Sequence, residues 1–148
     1  MYNIEMLYKF YVLALNTSLI KRLTRKLGIR KLSPRKEDLN NQSLIRKYAK
    51  GNSFADIGCM WGVNGLNSFI AEESGATTIT AVDVYPANSE FLEKKNKIKS
   101  KINFIQGDIN DLETTKKIGV ADVVLCGGVL YHTPDPVHLL TRLRSITK

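Results

Sequence analysis

The sequence has few of the residues that build metal centres and disulfide frameworks. Its 148 residues include two cysteines, Cys59 and Cys126, which lie far apart, and two histidines, His132 and His138. Neither pair has the spacing of a zinc site or of a disulfide-bonded scaffold. We therefore expect no bound metal, and we expect free thiols in a reducing, cytoplasmic setting.

The sequence also has no run that we would assign to a transmembrane helix or a signal peptide. The apolar run over residues 10–15 is far shorter than the roughly 20 residues that cross a bilayer. It lacks the leading positive charge and the small-residue cleavage site of a signal peptide. We expect an ordinary packing helix there, and the pattern leaves open a basic amphipathic helix that lies on a membrane surface.

Negative charge is scarce in the first third of the chain. Residues 1–50 hold twelve Lys or Arg against three acids, a net charge of +9, whereas residues 51–148 hold ten against eleven, a net charge of −1. This asymmetry predicts a basic, helical N-terminal segment over residues 1–50 and a separate domain over residues 51–148. It is compatible with contact to nucleic acid, anionic lipid or an acidic substrate, and equally with a solvated helical surface.

Strand and helix patterns alternate from residue 51 onward. Runs of apolar and β-branched residues predict four strands, each followed by a helical segment, over residues 53–57, 77–82, 102–105 and 122–126. Connections of this length imply right-handed βαβ crossovers and a parallel sheet. Ligands of such sheets bind beyond the carboxyl ends of the strands.

Two of the predicted helices, one before the first strand and one after the fourth, have a predicted core-facing side. In a helix over residues 38–50, that side consists of Leu39, Leu44, Ile45 and Tyr48. In the last helix, which Asp135 caps ahead of a proline, it consists of Val137, Leu139, Leu140 and Leu143.

Acidic residues stand at the ends of three of the four predicted strands. Asp56 lies near the end of the first, Asp83 follows the second, and Asp108 follows the third after Gly107. One such acid alone would more often form a turn, whereas three at successive strand ends favour a binding site. Several carboxylates suit a ligand rich in hydrogen-bond donors and positive charge, because a phosphate needs backbone amides, a helix N-terminus and Lys or Arg.

Glycines mark the turn between the first strand and its helix. The absence of a Cβ at Gly58 and Gly62 would let a ligand approach the backbone, and Gly65 would permit close packing of the helix on the strand. The spacing differs from the GxGxxG of dinucleotide-binding folds, and Asp56 would repel a pyrophosphate. A nicotinamide-dependent oxidoreductase is therefore the less favoured alternative.

These motifs, in this order, resemble the class I S-adenosylmethionine-dependent methyltransferases over residues 53–143. The segment over residues 56–62 resembles the loop that holds the methionine portion of the cofactor. Val82-Asp83 resembles the strand end that accepts the ribose hydroxyls, and Gly107-Asp108-Ile109 resembles the adenine site. Residues 122–136 are similar to small-molecule and tRNA-uridine methyltransferases that carry Val-Leu-Tyr-His. The resemblance implies an α/β, Rossmann-like parallel sheet of strand order 3-2-1-4 with flanking helices.

The resemblance also implies S-adenosylmethionine as cofactor and a set of residues that bind it: Asp56, Gly58, Gly62, Asp83, Asp108, Ile109 and Gly127. Tyr131 and His132 occupy the place where family members approach the methyl acceptor. His132 could act as a general base, orient its loop or cap the next helix. The acceptor is expected to be a small molecule, a saccharide or a tRNA nucleoside. RNA would bind through the basic segment, although no aromatic stacking platform accompanies it there.

Two features depart from the family. Met60 stands where glycine is frequent, so Met60 or Trp61 is expected to pack over the ligand. The family also continues with a fifth strand and an antiparallel hairpin, whereas this sequence stops at Lys148. The resemblance therefore implies a truncated domain, with strand four as an open apolar edge through which the chain could self-associate. A non-catalytic cofactor-binding fragment remains an alternative.

Overall fold

Helices and strands alternate over residues 40–148, the part of the chain that this computed structural model describes. Predictions for residues 1–39, including a basic helix and its contacts with RNA or lipid, lie outside the described residues. In chain order, the elements are α1 (Asn41–Tyr48), β1 (Ser53–Ile57), α2 (Leu66–Glu73), β2 (Thr78–Asp83), α3 (Ser89–Lys97), β3 (Asn103–Gln106), α4 (Leu112–Ile118), β4 (Val123–Cys126), a 3₁₀ helix (Leu130–His132) and α5 (Pro136–Ser145).

The four strands form one parallel sheet in the order β3-β2-β1-β4, which confirms the predicted fold class and strand order. Ile57, near the centre of the sheet, is in register with Val82 of β2 and Cys126 of β4. Asp83 is in register with Gln106 of β3. This register brings the carboxyl ends of all four strands to one edge.

Each face of the sheet packs against a core cluster, as is typical of a parallel sheet; β1 and β2 are mostly buried, whereas β3 and β4 are partly exposed. Successive side chains of a strand point to opposite faces, so Phe54 packs in one core cluster and Ala55 and Ile57 pack in the other. The first cluster also contains Ile45 and Ala49 of α1. The helix that the charge pattern assigned to the N-terminal segment therefore contributes to the core of the sheet domain.

The predicted faces of α1 and α5 were partly wrong. In α1, Ile45 is buried, but Leu44 and Tyr48 are 37% and 49% exposed. In α5, Leu139 is fully buried, but Val137 and Leu140 are exposed. The real stripe of α5 and its C-cap comprises Leu139, Leu143 and Ile146, which pack together in the second core cluster at helical spacing.

Polar side chains fix the starts of α3 and α5 and the start of β1. Asn88 Oδ1 accepts from the Phe91 backbone N–H at 2.9 Å, and Asp135 caps α5 through the His138 N–H at 2.9 Å. Asp122 accepts from the backbone N–H and the hydroxyl of Ser53 and from Lys148 Nζ. The bonds from Lys148 and Ser53 hold the pKa of Asp122 well below its usual range.

Beyond α5 the chain returns to the sheet. Thr147 forms a parallel bridge with Ala121, whose backbone N–H donates to the Ile146 carbonyl at 2.9 Å. β4 pairs with β1 and is one of the two edge strands of the described sheet, β3 being the other. Association of another chain with the β4 edge remains a prediction.

Among the helices over residues 40–148, none combines the length and the apolar character that a membrane span requires.

Candidate functional site

A cavity of about 440 Å³ opens at the carboxyl ends of the strands. Each of the four loops that follow a strand contributes to its lining: Gly58 and Trp61 after β1, Val84 and Tyr85 after β2, residues 107–110 after β3, and residues from 127–134 after β4. Its position is where ligands bind in open parallel sheets, and its size is within the usual range for small-molecule sites.

Asp83 is held at the end of β2 by two backbone groups. Its Oδ2 accepts from the Met60 N–H at 2.7 Å, and its Oδ1 accepts from the Tyr85 N–H at 2.9 Å. The side chain is 7% exposed and lines the cavity. Because each carboxylate oxygen can accept two hydrogen bonds, Asp83 can also accept bonds from a ligand while it ties β2 to the loop after β1.

The loop after β3 presents further acceptors. Asp108 Oδ1 accepts from the backbone N–H and the side-chain amide of Asn110, at 2.8 and 3.0 Å, and Oδ2 has no partner among the described residues. The buried Asn110 Oδ1 is also without a partner. Ile109, 3% exposed, supplies an apolar wall beside them. Asn110 was not among the predicted site residues, although an Asp-x-Asn turn just after a strand was a usable signal.

Gly58 lies where the loops after β1 and β4 meet. Its φ is +84°, and a Cβ there would overlap the carbonyl oxygen of Gly127 and the side chain of Val129. The Gly127 N–H donates to the Ile57 carbonyl at 3.0 Å, which holds the two loops together. The absence of a Cβ at Gly58 therefore first makes room for the loop after β4. From the sequence, only room for a ligand was expected at this position.

Asp56 and Gly62, two of the predicted site residues, do not line the cavity. Asp56 lies on the same face of β1 as Phe54, so its fully buried side chain points toward α2 instead of the strand end. There its Oδ2 accepts from the Ser68 hydroxyl at 2.6 Å, and its Oδ1 has no partner within residues 40–148. Gly62 is an exposed turn residue with φ +69° and open space where a Cβ would be.

Burial raises the pKa of Asp56 from its usual 3.8 to about 6, although hydrogen bonds from Ser68 oppose the shift and nearby Asp83 adds to it. Because the folded chain binds this proton more tightly than the unfolded chain does, protonation of Asp56 stabilises the fold. Asp56 therefore contributes stability that is fully present below about pH 4 and is lost as the pH rises through about 6.

We expect this loss to amount to about 2–3 kcal/mol in the free energy of unfolding. Urea unfolding of the wild type and of Asp56→Asn, repeated between about pH 4 and pH 7.5, measures it. The stability difference between the two should change by that amount, in favour of the variant at the higher pH. Asp111→Asn, at an exposed carboxylate, is the control. Parallel pH profiles for wild type and Asp56→Asn would contradict the assignment.

Within residues 40–148 we find neither a thiol with a lowered pKa nor a cluster of metal-ligating side chains. Burial raises the pKa values of the Cys59 and Cys126 thiols, which keeps them protonated and unreactive. Within residues 40–148, no group of three or more His, Cys, Asp or Glu side chains is placed to hold a metal ion.

Tyr131 and His132 lie on the 3₁₀ helix and line the cavity, but neither side chain has a hydrogen-bond partner among residues 40–148. Met60 and Trp61 lie in different environments, since Met60 is buried in the core and Trp61 lines the cavity. Tyr85, which was not among the predicted site residues, also lines the cavity. Within residues 40–148, no Lys or Arg lines the cavity, and the charged side chains of this lining are the carboxylates of Asp83 and Asp108.

Sequence comparison gives one family match. A family model described as a methyltransferase domain matches residues 55–148. No curated protein matches the chain.

Several solved structures have the same fold. A proposed RNA methyltransferase from Pyrococcus horikoshii has a TM-score of 0.58 and 18% identity, covering 78% of this chain and 58% of that one. The N-terminal domain of EvdMO1 with SAH bound has a TM-score of 0.58 and 20% identity, with coverage of 74% and 47%. An S-adenosylmethionine-dependent methyltransferase from Mesorhizobium loti has a TM-score of 0.53 and 16% identity, with coverage of 75% and 50%. The chain thus spans less than two thirds of each of these proteins.

Proposed function

The chain belongs to the methyltransferase-domain family, and on that premise we propose that it binds S-adenosylmethionine in the strand-end cavity and transfers the methyl group to a nucleophilic acceptor. The pairing of Asp83 and Asp108 in one cavity, whose lining among residues 40–148 contains no lysine or arginine, is the observation that supports the proposal. Such a lining suits a ligand with an ammonium, a sulfonium, a ribose diol and an adenine amino group. It opposes a pyrophosphate, and therefore a nicotinamide dinucleotide.

The residues present fit the parts of this cofactor. Asp83 would accept the ribose hydroxyls on its remaining lone pairs, and the free acceptors of Asp108 and Asn110 would receive the adenine amino group. Ile109 would pack against the adenine ring. The backbone of Gly58 and Gly127 would face the methionine portion. When bound, the cofactor supplies an electrophilic methyl group on a positively charged sulfur.

Asp56 and Gly62 would support the cofactor from outside the cavity. Asp56 would anchor β1 to α2 through Ser68, and Gly62 would allow the loop after β1 to turn. Both were predicted to bind the cofactor directly, and we propose this indirect role in its place.

Methyl transfer to an N, O or C nucleophile requires mainly that the acceptor be held in line with the methyl–sulfur bond. The loop after β4 would position the acceptor through Tyr131 and His132. A neutral His132 could also take a proton from the nucleophile. The acceptor classes that we consider are a small molecule, a saccharide and a tRNA nucleoside. RNA would engage the basic residues of segment 1–50.

Isothermal titration of the full 148-residue chain with S-adenosylmethionine, S-adenosylhomocysteine and NADH tests the proposal. We expect both S-adenosyl compounds to bind with dissociation constants on the order of 1–100 μM, and NADH to bind far more weakly. Preference for NADH would overturn the proposal. Binding of S-adenosylmethionine with no transfer of labelled methyl to phenolic, sugar or tRNA acceptors would favour a non-catalytic binding fragment.

A further inference from the structure

Four ring side chains line the cavity, and the contacts proposed above for the cofactor use none of these rings. They are Trp61 after β1, Tyr85 after β2, and Tyr131 and His132 on the 3₁₀ helix. The Trp61 ring centroid lies 5.7 Å from that of Tyr85 and 6.3 Å from that of His132, and the Tyr131 and His132 centroids lie 4.3 Å apart. We call these four side chains the aromatic rim. The sequence does not reveal it because its members come from three separate loops.

The aromatic rim is exposed, whereas the phenylalanines of the core are buried. Trp61 and Tyr131 are 72% and 78% exposed and Tyr85 is 50% exposed, whereas Phe54 and Phe91 are buried. The rim therefore contributes little to the core. A contiguous exposed apolar surface beside a cavity marks a binding site. The Trp61 and His132 rings are near-parallel, at 25°, an arrangement that suits stacking of a flat partner.

Charge at the aromatic rim narrows the class of that partner. Among the residues that the structure describes, no Lys or Arg lines the cavity, which disfavours a phosphate or carboxylate on the acceptor. A cationic acceptor would be repelled, since the proposed cofactor carries a positive sulfur next to the transferred methyl group. A flat, uncharged ring satisfies both conditions and stacks on aromatic side chains.

We propose that the aromatic rim is the acceptor site, and that it takes a small molecule whose nucleophilic atom is attached to a flat, uncharged ring. This inference rests on the proposed function, because it assumes that the S-adenosyl compound occupies the cavity behind the rim. Tyr131 and Trp61, the most exposed members, are the residues that select for flatness.

The test uses the full chain saturated with S-adenosylhomocysteine. The probe is 2-naphthol, and decahydro-2-naphthol, of similar size but with puckered rings, is the matched control. Calorimetry compares their affinities. Trp61 is the only tryptophan of the sequence, so its indole N–H signal in a ¹H–¹⁵N spectrum reports the location of binding.

We expect 2-naphthol to bind about tenfold more tightly than decahydro-2-naphthol and to shift the Trp61 signal. Trp61→Ala and Tyr131→Ala should each weaken 2-naphthol binding about tenfold, and Trp61→Phe should restore most of the loss. Tyr48→Ala, at an exposed tyrosine on α1, should leave the affinity unchanged.

Two sets of outcomes separate this inference from the proposed function. Failure of S-adenosylhomocysteine to bind would overturn both. If S-adenosylhomocysteine binds, equal affinity for the two naphthols would overturn the inference alone, as would rim variants that weaken only S-adenosylhomocysteine binding. A shift of the Trp61 signal by a single-stranded oligoribonucleotide but not by 2-naphthol would also overturn it, in favour of an RNA acceptor.

Discussion

Replacing Asp83 with Asn should weaken S-adenosylhomocysteine binding several hundredfold, about 3.5 kcal/mol. The carboxylate accepts from the backbone N–H groups of Met60 and Tyr85 on different oxygens. An amide can accept on its oxygen only, so its NH₂ group would face one of these N–H donors. The substitution would also replace two charge-assisted bonds to the ribose diol, each of which contributes about 1.5–3 kcal/mol. Calorimetry of wild type and variant measures the change.

Asp111→Asn is the control for this prediction. It makes the same chemical change at an exposed carboxylate just before α4, where the side chain makes no capping bond and does not line the cavity. Its affinity should stay within about twofold of wild type, which is the range expected for a surface substitution. If Asp83→Asn folds and binds S-adenosylhomocysteine as tightly as Asp111→Asn does, Asp83 does not bind the cofactor.

Gly58→Ala should lower the free energy of unfolding by about 4 kcal/mol and abolish S-adenosylhomocysteine binding at micromolar concentrations. A non-glycine residue at φ +84° costs about 1–2 kcal/mol. The added methyl group would also overlap the carbonyl oxygen of Gly127, so the loop after β4 would have to move, at a cost of about 1–3 kcal/mol. Urea unfolding gives the first quantity and calorimetry the second.

Gly51→Ala separates the two causes. Gly51 has a similar φ of +76° but has nothing within 4 Å of the added Cβ, and it does not line the cavity. It should lose only the conformational part, about 1–2 kcal/mol, and retain binding. Equal destabilisation by the two substitutions would mean that the loops after β1 and β4 do not restrict position 58.

The sheet was predictable because each of its signals is local. β1 was predicted with its observed bounds, since Ser53–Ile57 is a short apolar run that ends at a glycine turn. Asp83 and Asp108 were placed at one edge because parallel strands all end on the same side. These inferences need only the order of the elements along the chain and the direction of the strands.

What could not be predicted depends on the face that a residue presents or on partners distant in sequence. Asp56 is only one residue from the end of β1, yet the alternation of side chains turns it away from the cavity. Leu44 and Ile45 are adjacent apolar residues of α1, and only the packing of α1 against α2 decides that Ile45 is the buried one. Trp61, Tyr85 and His132 meet only because three loops converge at the sheet edge.

We propose above all that the acidic cavity at the strand ends holds an S-adenosyl compound. A crystal structure of the 148-residue chain grown with S-adenosylhomocysteine tests it most directly. We predict the ribose hydroxyls within hydrogen-bond distance of the Asp83 carboxylate, the adenine ring against Ile109, and its amino group at Asp108 or Asn110. S-adenosylhomocysteine bound elsewhere on the chain, with Asp83 and Asp108 free of contact to it, would contradict the account.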